Sequence, residues 1–277
     1  MTNKARGYLY LASLVLVWGA AYPLTKMASE YASPMVISLF RTGLGAALLY
    51  PAARRVVISR EMVVSGLLNM GLFLVFLNAS IMLSVNPGLS AVLIYTQPLF
   101  VAALQAAFSR RSPPPGRMLA LTAGFFGALL TAWSSFSVGN LLALLGGFSW
   151  ALGTIYYASK VSERNVTVAN ESMTLLSVPL IAALTPLDYS IHLSIKAIAL
   201  LLLVALLAQV LGFLLWFNAL ELVDPSLASS ILLATPVMAL IFSSLMLGSP
   251  LTHMDEVGVA ITLASVASIV TMERRKQ

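Results

Sequence analysis

The chain has 277 residues, is 59% hydrophobic and only 9% charged, and carries a formal net charge of +6. A soluble domain is about one quarter charged, so this chain cannot cover itself with a solvated surface, and its solvent must be largely lipid. It has no cysteine, which excludes disulfides and thiolate metal sites. Its two histidines, His192 and His253, lie far apart near predicted helix ends, which argues against a metal cluster.

A membrane helix needs about 20 mostly apolar residues. Ten such runs follow one another at roughly 7–28, 34–53, 61–84, 86–109, 117–135, 138–160, 168–186, 195–218, 225–247 and 255–272. They leave only short loops, so the chain reads as an all-α integral membrane protein with no soluble domain. Lys4 and Arg6 before the first run mimic a cleaved signal peptide. However, the run continues past the small residues of "WGAAY", and a matching segment occurs mid-chain.

In the first span Trp18, Tyr22 and Lys26 fall at i, i+4 and i+8 and share a face. Trp18 lies eleven residues past Gly7, about 16 Å by helical rise and too deep for an interfacial aromatic belt. It reads as cavity lining, with tight helix packing as the competing reading; Lys26 is nearer the boundary and also suits an interfacial anchor. In the second span Ser38, Arg41 and Gly45 form one face. Arg41 lies roughly 10 Å below the outer end. A charge inside a span is costly and points to a functional site; snorkelling outward or pairing with Glu30 is the alternative. Asn78 adds a polar group to the third span.

The fourth span opens at Asn86–Pro87, an N-cap and first-turn pair. Pro98 removes a backbone hydrogen bond and can free the carbonyl of Ile94. In lipid that carbonyl must be re-satisfied or line a wet cavity; a plain packing kink is the bland reading. Tyr95 and Gln97 stand beside it. The fifth span carries Ala123–Gly127 and the tenth Gly258–Thr262, small-residue pairs that permit close contact. In the sixth span Trp150, Thr154 and Tyr157 share a face. "GFSWA" there contains a Gly-x-Ser, as intramembrane serine proteases do, but no histidine reaches Ser149. Asn218 and Thr235 are further hydrogen-bonding candidates, and Pro236 can free the carbonyl of Leu232. Trp133 and Trp216, near span ends, read as belt residues.

Counted by loop with the N-terminus inside, thirteen of the sixteen basic residues fall on the inner side: Lys4, Arg6, Arg54, Arg55, Arg60, Arg110, Arg111, Arg117, Lys160, Arg164, Arg274, Arg275 and Lys276. That asymmetry is a topology signal, not a nucleic-acid surface. It places both termini in the cytoplasm and the chain in the cytoplasmic (inner) membrane as a multi-pass protein.

The halves repeat. Gly7 and Trp18 recur as Gly139 and Trp150, 132 positions on; Pro87 and Pro98 recur as Pro225 and Pro236, 138 positions on. Five spans per copy is odd, so residues 1–136 and 137–277 read as two inverted five-helix repeats. Secondary transporters use this plan, with the substrate site between the copies.

At "LVWGAAYPLTK" (16–26), "SPMVISLFR" (33–41), "NPGLSAVLIYTQPLF" (86–100), "SWALGTIYYASK" (149–160) and the Asp224–Pro225 block, the chain resembles the drug/metabolite transporter superfamily in its ten-helix EamA-like branch. The resemblance implies a central cavity lined by the first four spans of each copy, with the fifth and tenth at the periphery. It also implies transport of small organic molecules, often outward.

The ten acids, Glu30, Glu61, Glu163, Glu171, Asp188, Glu221, Asp224, Asp255, Glu256 and Glu273, all sit at or near span ends. An aromatic, acid-poor cavity with a basic residue suits a neutral or carboxylate-bearing metabolite such as an amino acid, carried by a facilitator or exchanger. Multidrug efflux of lipophilic cations is the runner-up; a non-transporting receptor or an intramembrane enzyme are the readings from other classes. A small-molecule substrate and membrane lipid are the expected partners of a monomer or homodimer; no catalytic residue, metal or cofactor is implied. Reporter fusions after Arg55, Arg111 and Arg164 are expected to read cytoplasmic, and fusions near Ser135 and Asp188 external. Opposite readings at Arg111 and Arg164 would remove the inverted repeat.

Overall fold

The computed structural model describes residues 2–83, 92–109, 114–130, 138–162, 164–248 and 253–274. Asn86, Pro87, Arg110, Arg111, Trp133, Glu163, Arg275 and Lys276 therefore lie outside the described residues. Within them the regular structure is helical, and an isolated antiparallel bridge joins Ala32 to Ile191. In chain order the helices are α1 (Asn3–Ala28), α2 (Pro34–Ala53), α3 (Arg60–Gly66), α4 (Leu72–Leu83), α5 (Gln97–Ser109), α6 (Pro115–Leu130) and α7 (Val138–Lys160). Then follow α8 (Val166–Leu184), α9 (Ile195–Val204), α10 (Gly212–Leu220), α11 (Pro225–Ile231), α12 (Ala234–Leu247) and α13 (His253–Arg274). Among the described residues, seven helical stretches are long and apolar enough to cross a membrane: Asn3–Ala28, Pro34–Ala53, Arg60–Ser80, Val138–Lys160, Val166–Leu187, Ile195–Leu220 and Pro225–Leu247.

Helix starts carry side chains that satisfy the first orphan N–H groups. Thr2 accepts from Ala5 N at 3.3 Å, Ser59 from Met62 N at 3.3 Å, Asn165 from Val168 N at 3.1 Å and Ser194 from Ala197 N at 3.0 Å. Asp224 caps α11 through Ser226 N at 3.0 Å and Leu227 N at 3.2 Å, with Pro225 in the first turn, as its sequence predicts. The start of α2 is capped from the other half. Asp188 accepts from Met35 N at 3.2 Å, beside the bonds that join Ser33 N to Ser190 O (2.8 Å) and His192 N to Tyr31 O (2.7 Å).

Two kinds of interruption recur in the two halves. π-Helical turns, Leu67–Gly71 between α3 and α4 and Ala205–Leu211 between α9 and α10, begin 138 positions apart. Such turns break the regular i→i−4 bonding and free carbonyls, usually at functional places. Here donors from other helices take them up: Ser177 Oγ donates to Gly66 O at 3.0 Å, Ser149 Oγ to Leu68 O at 2.9 Å, and Trp18 Nε1 to Ala208 O at 3.0 Å.

The second interruption corrects an expectation. Pro98 and Pro236 do not kink continuous helices. Short turns at 95–96 and 232–233 break them, and each proline sits in the first turn of the segment that follows, α5 and α12. A proline costs nothing there, because its missing N–H has no intrahelical partner in any case. The Leu232 carbonyl is taken by Thr235 N at 2.9 Å. The Ile94 carbonyl faces α7 at Gly147, where an added Cβ would come within 2.7 Å of it.

α6 and α13 pair chiefly with each other. The seam runs through Gly124 and Gly127 against Ile261, Thr262 and Ser265. Thr262 Oγ1 donates to Gly124 O at 3.2 Å, and Ser265 Oγ donates to Ala120 O. Gly258 is buried and Ala123 is exposed, so the α6 face is Ala120–Gly124–Gly127 rather than the expected Ala123–Gly127. The opposite face of α6 turns Leu119 and Phe126, 74% and 58% exposed, outward to lipid. A Cβ on Gly127 would stand 2.8 Å from Ile261 Cγ2, whereas one on Gly43 of α2 meets nothing within 4 Å. Overpacking costs about 1–3 kcal/mol, so Gly127→Val should lower the thermal unfolding midpoint in detergent while Gly43→Ala leaves it unchanged or raised.

Candidate functional site

A cavity of about 300 Å³ opens between the helices. Its floor is aromatic: the Trp18 and Trp150 rings meet edge to face with centroids 5.4 Å apart, and Phe73 and Tyr95 flank Trp150 at 5.2 and 5.8 Å. α1 forms one wall from Trp18 through Tyr22 to Lys26, and α12 forms another from Pro236 to Leu247. The exposed Lys26 and Ser29 stand at the mouth, so the cavity opens on the face where α1 ends.

Arg41 lies in the wall and is only 8% exposed. Its Nε donates to Gln209 Oε1 at 3.1 Å and its Nη2 to Ala208 O at 3.4 Å. The same Ala208 carbonyl accepts from Trp18, so one carbonyl of the π turn anchors both side chains. Gln209 is oriented in turn, its Nε2 donating to Thr174 Oγ1 at 3.2 Å. Tyr22 and Tyr95 are near enough to feel the guanidinium charge. Arg41 has no carboxylate partner among the described residues, and the exposed Glu30 does not pair with it. A guanidinium has five N–H donors; with two committed, it keeps capacity for an anion in the cavity. Asn78 completes this wall, held from behind by a bond from its Nδ2 to the buried Ser38 Oγ.

Seven expected site residues, Trp18, Tyr22, Lys26, Arg41, Asn78, Tyr95 and Trp150, therefore share one cavity, together with Pro236. The others do not reach it. Gln97 Nε2 donates to Thr154 Oγ1 at 3.1 Å in a buried contact. Tyr157 donates to Glu221 at 3.2 Å. Asn218 is spent on the Leu214 carbonyl of its own helix at 2.7 Å. Thr235 is fully buried beside Tyr95, and Pro98 lies off the lining.

Trp216 is a correction. It is fully buried, with its ring 5.7 Å from Trp150 and 6.4 Å from Trp18, and is no belt residue. Phe213, Trp216 and Phe217 form an inward aromatic stripe at i, i+3 and i+4, a pattern that depth counting from a span end ignores. Gln209 escaped the sequence reading altogether. Its signal was a lone amide in the apolar run "LLLVALLAQVLGFLLWF", which membrane burial makes as notable as Arg41. Ser149 donates to the Leu68 carbonyl at 2.9 Å, and both His192 and His253 are exposed, so neither histidine addresses that hydroxyl. The arrangement can bind a carboxylate at Arg41 and an apolar or aromatic body against the tryptophan floor.

Known proteins share this plan. A solved crystal structure superposes with a TM-score of 0.85 over 99% of this chain and 99% of its own, at 15% identity, which is a likeness of fold. An uncharacterized transporter of Archaeoglobus fulgidus is 25% identical, covering 95% of this chain and 98% of its own. The uncharacterized transporter YvbV of Bacillus subtilis is 28% identical over 99% and 94%. A probable amino-acid metabolite efflux pump of Salmonella typhimurium is 25% identical over 95% and 94%. The EamA-like transporter family matches at residues 5–133 and again at 137–271. With both halves matched, the chain belongs to the EamA-like transporter family.

Proposed function

We propose that this transporter carries small organic metabolites bearing a carboxylate, amino acids and their relatives among them, outward across the cytoplasmic membrane. It does so as a facilitator or exchanger, by alternating access between two inverted five-helix copies, residues 1–136 and 137–277, with ten spans and both termini inside. The observation that carries the substrate reading is Arg41, buried in the cavity wall without a carboxylate partner among the described residues. A buried cation left unpaired in a membrane is costly, and a substrate anion would complete it. The name of the Salmonella typhimurium relative agrees with an amino-acid-like cargo. The inversion is supported by the equivalent π turns, the equivalent helix breaks and the paired tryptophans. It is supported further by helix directions. α1 packs on the segment 208–223 with Gly7 at Val223 and Trp18 at Ala208, so the two run antiparallel. α7 meets the same segment with Trp150 at Trp216 and Tyr157 at Glu221, so those two run parallel.

Arg41→Leu is expected to weaken substrate binding roughly 10- to 100-fold, the scale of charge-assisted hydrogen bonds, while the protein still inserts and folds. Arg41→Lys should recover only part, because lysine cannot reproduce the planar fork. Binding and flux of labelled amino acids in liposomes measure both, and normal uptake by the leucine variant would overturn the carboxylate site.

For energy coupling, loaded liposomes should show counterflow of labelled substrate without an imposed pH gradient, and imposing one should change the initial rate little. Uphill accumulation driven by a pH gradient alone would replace this reading with proton coupling. Glu171 would then be the first group to test, since it is 1% exposed and its Oε2 lacks a partner among the described residues.

A further inference from the structure

Two seams leave the tryptophan floor in opposite directions. The open one is the cavity, and Trp18, Ala21, Tyr22 and Thr25 of α1 line it. Moving 132 positions along the chain gives Trp150, Gly153, Thr154 and Tyr157 of α7. These four are all buried, in a seam that is closed. At Gly153 an added Cβ would stand 2.6 Å from the Asn69 amide carbon. Thr154 holds the Gln97 amide at 3.1 Å. Tyr157 stacks on Phe217 with centroids 4.2 Å apart and donates across the seam to Glu221 at 3.2 Å.

The closed seam is poorly satisfied for a packed interior. Among the described residues Asn69 Oδ1, Gln97 Oε1, Trp150 Nε1 and Trp216 Nε1 are buried without a partner, and so are Ser226 Oγ and Ser229 Oγ of α11, which packs against α5 and α7. Buried polar atoms are nearly always paired, and each exception asks for an explanation. In a bilayer the requirement is stricter, because no water reaches the interior unless a cavity admits it. A seam built only for packing would use apolar groups here. A seam that is wet in another conformation would keep these.

We infer that the Tyr157–Glu221 bond is the latch that holds this seam shut in the present state. In the alternate state the seam opens toward the face where α1 begins, Gln97 and Thr154 become wall groups, and the cavity at Tyr22 and Arg41 closes. This rests on the alternating-access reading, but it names residues that reading does not.

The chain has no native cysteine, so single-cysteine variants report one position each. Ser243→Cys probes the open cavity; Ser229→Cys and Thr154→Cys probe the closed seam. In vesicles of either orientation, a membrane-impermeant maleimide should label Ser243→Cys quickly from the α1-end face. The two seam cysteines should label slowly from the opposite face. Adding Tyr157→Phe, which keeps the ring stack, or Glu221→Leu, which removes the acceptor, should raise seam labelling roughly tenfold and lower cavity labelling in step. That is the population shift expected when one strong hydrogen bond is lost. Unchanged rates in both latch variants would overturn the inference, as would a rise at both sites together. Flux of labelled amino acid in the otherwise unaltered protein separates the two readings. Flux with no reciprocal labelling sinks the seam alone, and reciprocal labelling without that flux sinks the substrate class alone.

Discussion

The carbonyl of Ala208 holds the centre of this structure. A π turn frees it from its own helix, and in a membrane no water replaces the lost bond. Trp18 from α1 and Arg41 from α2 both donate to it. Those two bonds fix the tryptophan that floors the cavity and the cation in its wall, so an irregularity in one helix positions side chains of two others. An ordinary α-helical turn at 205–211 would keep that carbonyl in its own helix's ladder of bonds.

The same constraint explains the partner half. There the π turn at 67–71 meets Ser149, which sits beside Trp150 and takes the Leu68 carbonyl. The duplicated positions thus keep the rule that freed carbonyls be capped, but use different donors. The second copy has Met173 where the first has Arg41, 132 positions earlier. One charge in the middle of the protein is tolerable because Gln209 and Ala208 solvate it; a second, facing the first across the floor, would add repulsion in a medium of low dielectric.

Small residues set how close the helices come. Gly66 lies where an added Cβ would be 2.7 Å from the Met173 carbonyl, Gly147 makes the same approach to Ile94, and Gly212 leaves room for the Trp18 indole. Without a hydrophobic drive between helices in lipid, such close backbone contact and the interhelical bonds it allows supply much of the association. Glycine is chosen here for its missing side chain, not for unusual backbone angles; among the described glycines only Gly248 uses a left-handed conformation, with φ 68°, to end α12.

Composition and periodicity by themselves determined the class. Long apolar runs with few charges have no folded solution but helices in a bilayer, and duplicated prolines and tryptophans at constant offsets exposed the repeat. Arg41, Trp18 and Trp150 were legible as cavity-lining residues because membrane burial makes a lone charge or a mid-span tryptophan expensive or purposeful wherever it stands. The tertiary structure decided what side-chain identity cannot encode. It chose which carbonyl each donor meets, and it turned the expected proline kinks into breaks. It also placed Gln97, Thr154 and Tyr157 in a closed seam while Tyr22 and Asn78 faced an open cavity. Trp216 moved from the expected membrane edge to the centre for the same reason. The rotation of a helix about its axis depends on every neighbour that packs against it, and a count of residues from the span end carries no information about those neighbours.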